Sequence, residues 1–116
     1  MAGVIQIPWY ATGFRADKLE AALVELSAIA PRYGATGYAL YRSRDDRYHF
    51  LQMLDFEDKL DFERYWNGPE FNDFRIVCSG WYQLPILYGW HDLVTSEQIA
   101  SEALGDASAQ RRSEVL

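Results

Sequence analysis

The sequence has 116 residues, enough for one domain, and its formal charge of −6 argues against nucleic acid as a partner. A single cysteine, Cys78, and two histidines allow neither an intrachain disulfide nor a zinc site, so we expect a cytoplasmic protein without a metal. We recognise neither a signal peptide nor an apolar stretch of the ~20 residues that a membrane helix needs, so we expect no membrane contact.

The chain is predicted to begin with a strand and a helix. Residues 4–10 are rich in β-branched and aromatic side chains, which favours a strand, and Pro8 predicts a bulge or the end of regular pairing. Asp17 and Glu20 have the spacing of a helix-capping box, and apolar residues then recur at helical intervals. Gly34 is a natural stop, so one amphipathic helix is predicted between these points.

A hairpin and an interrupted helix are predicted next. Two strand-like runs, 35–43 and 48–56, flank a short polar turn, which is typical of a hairpin. Asp58 is expected to begin the second helix. The sequence Asn67-Gly68-Pro69 is expected to interrupt it, because proline suits the first position of a new helical segment.

The remaining chain is predicted to supply the last strand and a tail. Residues 82–94 are expected to form the final strand, at a sheet edge because it contains Pro85. The order β-α-β-β-α-β is that of an α+β ferredoxin-like sandwich with a four-stranded antiparallel sheet. We assign residues 1–94 to this domain. Residues 95–116 form a polar C-terminal tail, with sequence for a short helix over 99–104, and are a candidate contact for another subunit or protein.

Apolar side chains occupy both faces of the predicted sheet. In a ferredoxin-like sandwich the helices cover one face, and the other should be polar where it meets water. The third strand instead places Phe50 and Leu54 on one face and Leu51 and Met53 on the other. Exposed apolar surface of this extent normally marks an interface, so we expect a homodimer, the commonest form of oligomer.

Two segments carry a family resemblance. The hairpin reads YALYRSRDDRYHFLQMLDFED, and the second helical segment ends in WNGPEFNDFR before an aromatic final strand. Over about residues 4–94 the chain resembles the antibiotic biosynthesis monooxygenase family. The resemblance implies a homodimeric α/β barrel with a small pocket between each sheet and its helices. It also implies a cofactor-independent monooxygenase activity on an aromatic or quinol-type compound, which some family members oxidise with dioxygen.

The resemblance further suggests which residues would serve such a pocket. The reaction must take a proton from a phenol, stabilise the resulting anion and exclude water. His49 and His91 are the candidate bases, because imidazole exchanges protons near neutral pH. Trp66 and Asn67 are the candidate catalytic hydrogen-bond donors. The candidate substrate-binding residues are Tyr10, Tyr38, Tyr65, Arg75 and Trp81, of which Tyr38 could also donate a hydrogen bond and Arg75 could hold an anion.

Purely structural roles compete with these assignments. Tyr65 and Trp66 have the spacing of core residues on a helix, and Asn67 before Gly-Pro suits a helix end. A histidine on a strand often only forms a hydrogen bond in a core or interface. A non-catalytic ligand-binding or assembly protein on the same dimeric scaffold therefore remains the main alternative.

Two other functions are disfavoured by particular residues. The haem-degrading branch of the family carries an iron-binding histidine shortly after the position of Phe71, and this sequence has Arg75 there. The RNA-binding module with the same topology carries a basic residue where this sequence has Asp46, and this chain is acidic overall. We therefore expect neither haem nor RNA as a ligand.

Overall fold

The computed structural model describes residues 2–99, and its helices and strands follow the predicted order. The strands are β1 (Gly3–Tyr10), β2 (Ala35–Arg42), β3 (His49–Phe56) and β4 (Gly89–His91). The helices are α1 (Ala16–Ile29), which continues as a 3-10 turn over Ala30–Tyr33, α2 (Lys59–Trp66) and α3 (Pro69–Val77). The sheet has the order β2-β3-β1-β4 with antiparallel neighbours, which confirms the ferredoxin-like α+β fold.

The final strand is much shorter than predicted. Regular pairing with β1 covers Gly89–His91, opposite Val4–Gln6, and the Gln83 N–H forms an isolated hydrogen bond with the Tyr10 carbonyl, so the prediction of a strand over 82–94 is wrong. Residues 83–88, here called the strap, run irregularly past the rest of β1. Proline accounts for this, because neither Pro8 on β1 nor Pro85 on the strap has an N–H group to donate. Pairing with β3 continues through Pro8, so the expected end of pairing occurs only on the β4 side.

The predicted capping box at Asp17 is also wrong. Helix α1 begins at Ala16, and no side chain caps its first turn. The Asp17 carboxylate instead accepts a hydrogen bond from Arg42 Nη1 at 2.9 Å, an ion pair that ties α1 to β2. Asp58 does cap α2, since its side chain accepts from the Leu60 N–H.

The predicted interruption between α2 and α3 is confirmed. Helix α3 begins with Pro69 at its first position, directly after Gly68. The stop at Gly34 is confirmed as well, because this residue ends the 3-10 turn with a φ of 104°, a conformation that glycine adopts without strain.

The core lies between the sheet and the helices. Alternate residues of β1 and β3, such as Ile7, Trp9 and Phe50, point towards the helices and are buried. Aromatic rings from α2 and α3, including Phe71 and Tyr65, pack against them. This space is therefore filled by closely packed rings.

The other face of the sheet is open in the single chain. It carries the residues that alternate with the core positions, among them Pro8, Leu51 and Met53, and these remain partly exposed. Apolar residues therefore occupy both faces, as the sequence predicts. No helix within residues 2–99 combines the length and apolar character needed to cross a membrane. The predicted tail helix over 99–104 lies almost wholly outside the described residues.

Candidate functional site

A trough of about 510 Å³ runs along β1 on the open face of the sheet. Its lining includes Gln6, Pro8, Tyr10, His49, Leu51 and His91, with Tyr88 and Leu87 of the strap along one side. The floor is mostly apolar, and the polar groups stand at intervals along it. A flat, largely apolar molecule with a few polar substituents fits such a surface.

Strand register explains why these side chains share one face. His49 pairs with Tyr10, and His91 pairs with Val4, so both histidines lie beside even-numbered positions of β1. Directly paired residues of antiparallel strands point to the same side of the sheet. Val4 and Tyr10 are six positions apart, which separates the two histidine backbones by about 20 Å along the strand.

Each histidine is held by its neighbours at one end of the trough. The imidazole of His49 stacks on the ring of Tyr10, with 4.5 Å between centroids and an interplanar angle of 7°. The imidazole of His91 covers Gly89, where an added Cβ atom would lie only 2.7 Å from Nε2. Glycine at position 89 therefore leaves room for the His91 ring beside the trough.

Tyr65 lies on the other side of the sheet, in a buried polar network. Its hydroxyl donates to the Leu26 carbonyl at 2.6 Å and accepts from Gln52 Nε2 at 3.3 Å. Burial raises the pKa of Tyr65 far above its ordinary value, so the phenol stays protonated. The described contacts of Tyr65 agree with its structural interpretation as a core residue.

Trp66 and Asn67 also lie on the helical side. The Trp66 ring packs between those of Phe71 and Tyr88, at centroid distances of 4.7 and 5.0 Å. Asn67 ends α2, and its side-chain amide donates to the Glu63 carbonyl at 2.9 Å. Trp66 therefore helps to fill the space in which a pocket was expected, and Asn67 has the contacts of a helix-ending residue.

Arg75 stands over this aromatic cluster. Its guanidinium carbon lies 4.7 Å from the centroid of Trp66 and 4.4 Å from that of Phe71. Partial burial lowers the pKa of Arg75, because the charged form loses contact with water. Its Nη1 donates to Asn72 Oδ1 at 2.9 Å.

Trp81 and Tyr38 lie apart from both the trough and the aromatic cluster around Trp66. Trp81 lines a second groove, of about 720 Å³, between α1 and α3, where the Lys18 ammonium lies 5.8 Å from its ring centroid. Tyr38 stands on the edge strand β2, half exposed, on the helical side opposite Leu54. Neither residue borders the trough.

The structure thus brings together three of the predicted site residues: Tyr10, His49 and His91. Sequence reasoning missed Gln6 of the same trough. Gln6 could have been predicted, because it occupies an even-numbered position of β1 and therefore lies on the same face as Tyr10. Among residues 2–99, no group of three or more histidine, cysteine or acidic side chains is placed to hold a metal ion.

Comparison with known proteins supports the fold. No protein-family profile and no curated protein matches the sequence. Among solved structures, the chain is similar to a Nitrosomonas europaea protein provisionally named an antibiotic biosynthesis monooxygenase, with a TM-score of 0.73 and 11% identity. This similarity covers 84% of the present chain and 94% of the other.

Two further solved structures are similar to the chain over most of its length. SnoaB from Streptomyces nogalater, described as a cofactor-independent oxygenase, has a TM-score of 0.69 and 17% identity, over 82% of this chain and 95% of SnoaB. A Pseudomonas aeruginosa protein has a TM-score of 0.71 and 22% identity, over 82% of this chain and 97% of its own. Identities this low establish architecture and leave activity to be argued from the site. The chain has the ferredoxin-like fold of the antibiotic biosynthesis monooxygenases.

Proposed function

We propose that this chain is a monooxygenase-like protein that oxidises an aromatic, quinol-type small molecule without a bound cofactor. The observation that carries the proposal is the trough, in which the two imidazoles and Tyr10 border one apolar floor. The fold likeness to an oxygenase described as cofactor-independent supports the reaction class. The proposal places the ligand on the open face, because aromatic rings fill the space between sheet and helices.

The proposed chemistry requires a base and a dry surface. An imidazole, of His49 or of His91, takes a proton from one phenolic hydroxyl and leaves an electron-rich anion that dioxygen can oxidise. Four electrons then pass from the quinol to dioxygen. Two of them convert a ring C–H into C–OH, and two convert the quinol into a quinone. One oxygen atom enters the ring, and the other leaves as water.

A second copy of the chain is proposed to close the trough. Leu51, Met53 and Pro8 leave apolar surface on the open face, and water in contact with it would also reach the bound anion. Pairing two open faces would bury both surfaces at once, since a two-fold interface uses the same patch twice. We also infer a cytoplasmic location from the cysteine usage, and we retain residues 1–94 as the functional domain, with 95–116 as a candidate contact segment.

Oxygen consumption over a panel of substituted hydroquinones tests the proposal. We expect the wild type to exceed the uncatalysed rate with at least one compound, and His49→Gln or His91→Gln to reduce that excess by about 100-fold or more, the lower end of the range for loss of a general base. Arg44→Ala, in the exposed hairpin turn, is the matched control and should retain the full rate. Equal rates for the wild type, both histidine variants and buffer would overturn the catalytic proposal.

The filled interior favours a second candidate function. Trp66 helps to fill the space in which an enclosed family-type pocket was expected, which favours a role in assembly. In that case a quinol analogue would bind, or the dimer would form, while oxygen consumption would stay at the uncatalysed rate. The same panel therefore separates the two functions when it is combined with a binding titration.

A further inference from the structure

Gln6 lies in the floor of the trough, between the ends that carry the two histidines. Its direct cross-strand neighbours are Met53 on β3 and Gly89 on β4, and neither offers a strong hydrogen-bonding side chain. The glutamine whose side chain is engaged in hydrogen bonds within residues 2–99 is Gln52, in the core on the other side of the sheet. The partly exposed Gln6 amide therefore keeps its N–H donors for a bound molecule.

Gly89 brings the His91 imidazole close to this amide. The His91 ring occupies the space that a side chain at position 89 would fill, with Nε2 only 2.7 Å from the place of a Cβ atom. Gly89 pairs directly with Gln6, and the Cβ positions of such a pair lie about 5 Å apart on one face of the sheet. His91 Nε2 and the Gln6 amide can therefore contact one ligand oxygen from two sides.

His49 belongs to the opposite end of the trough. Gln6 is two positions from Val4, the partner of His91, and four positions from Tyr10, the partner of His49. Along the strand, the Gln6 backbone is thus displaced by about 7 Å from His91 and by about 13 Å from His49. The His49 ring is held at its own end by stacking on Tyr10. A phenolic hydroxyl that contacts Gln6 therefore meets His91 and not His49.

We propose that Gln6 and His91 together bind and deprotonate one phenolic hydroxyl of the ligand. This inference rests on the proposed function and assigns its first step to one end of the trough. The O–H bond breaks, the proton passes to His91 Nε2, and the electron pair stays on the oxygen. The Gln6 side-chain N–H donates to that phenolate oxygen, a charge-assisted hydrogen bond that favours the anion. The ligand ring lies over Pro8 and Leu51, and Gly89 is a positioning residue for the imidazole.

Absorbance titration of 4-nitrophenol with the full chain tests the pair, because the phenol and phenolate forms of this compound absorb at different wavelengths. No oxidation is involved, so the result does not depend on the later steps of the proposed reaction. We expect binding to lower the pKa of nitrophenol by about one unit, the tenfold gain for the anion that one hydrogen bond to a charged group can supply. 4-Nitroanisole has no proton to lose and is the control ligand, which should show no phenolate band.

Substitutions at three positions locate the effect. Gln6→Leu and His91→Gln should each remove most of the tenfold gain, and Gln6→Asn, with a shorter amide, should keep part of it and replaces the leucine variant if that one fails to fold. Gly89→Ala should also reduce the gain, because the added Cβ atom displaces the imidazole while both functional side chains remain. The matched controls are Gly13→Ala, where a Cβ atom meets nothing within 4 Å, and Gln83→Leu, an exposed strap residue outside the trough lining; both should keep the full shift.

The outcomes separate this pair from the oxidation. The expected pattern of shifts in a protein that leaves hydroquinones unoxidised would support the phenolate site and overturn the catalytic function alone. Oxidation by a protein that retains its full nitrophenol shift in Gln6→Leu would overturn the role of Gln6 alone. No binding of nitrophenol, an unshifted pKa in the wild type, or a shift that is lost in His49→Gln and kept in His91→Gln would overturn the assignment.

Discussion

The indole Nε1 of Trp9 donates a hydrogen bond to Oε1 of Gln52 in the interior, with 3.1 Å between the two atoms. The amide of Gln52 in turn donates to Ser27 Oγ at 3.0 Å and to the Tyr65 hydroxyl at 3.3 Å. Gln52 is completely buried, so one polar side chain satisfies groups from β1, α1 and α2. This network fixes how the helices sit on the sheet.

Gln52→Leu is expected to destabilise the fold by roughly 1–3 kcal/mol, because it leaves the Trp9 N–H and the Ser27 hydroxyl buried without their partner. Chemical denaturation measures the free energy of unfolding. Gln6→Leu makes the same substitution on the partly exposed open face and should change that free energy by no more than about 0.5 kcal/mol. Similar losses in both variants would show that the network contributes nothing specific.

Gly68→Ala should also be destabilising, for steric reasons. A Cβ atom at this position would lie 2.5 Å from Tyr33 Oη and 2.9 Å from the Arg64 carbonyl oxygen. The Arg64 contact is to backbone, so relief requires a shift between α2 and α3, and we expect a cost of about 1–3 kcal/mol. Gly13→Ala is the matched control, since a Cβ atom there meets nothing within 4 Å. Thermal melts of the two variants should differ clearly, and coincident melts would contradict the packing described for Gly68.

The hydrogen bond from Tyr33 Oη to Glu70 Oε2, at 2.5 Å, should make stability depend on acid pH. This bond holds the pKa of Glu70 below its ordinary value. An acid with a lower pKa in the folded state contributes stability above its unfolded pKa, about 4.3 for glutamate, and loses it as the pH falls through the folded value.

Tyr33→Phe should therefore lose less stability than the wild type on acidification through that range. Tyr48→Phe removes an exposed hydroxyl from the hairpin and should follow the wild type. The measurement is a series of denaturation curves from neutral to acid pH. Parallel pH profiles for the wild type and Tyr33→Phe would show that the bond does not form in solution.

Local patterns predicted much of the fold. The β-branched and aromatic composition predicted β1, and the polar turn between two strand-like runs predicted the hairpin of β2 and β3. Asp58 and Gly68-Pro69 marked the two helix starts correctly. The errors arise where a residue distant in the sequence determines the local structure. Asp17 has the sequence context of a helix-capping residue, yet its carboxylate forms an ion pair with Arg42 of β2. The strap has strand-like composition, yet two prolines remove the donors that regular pairing needs.

The candidate site was harder to predict than the fold. Residue type identified His49 and His91 as candidates, but their common trough depends on how β3 and β4 register against β1, which no local pattern encodes. By residue type, Trp66 and Asn67 are as suitable for the site as these histidines. In the structure they lie on the opposite side of the sheet from them. Only the topology separates the two groups.

Analytical ultracentrifugation at micromolar concentration is the most direct test of the central claim, that a second copy covers the open face and encloses the trough. We expect a dimer for the wild type, a folded monomer for Leu51→Asp on the open face, and a dimer for Ile76→Asp on the exposed side of α3. A stable wild-type monomer, or a Leu51→Asp variant that still sediments as a dimer, would contradict it.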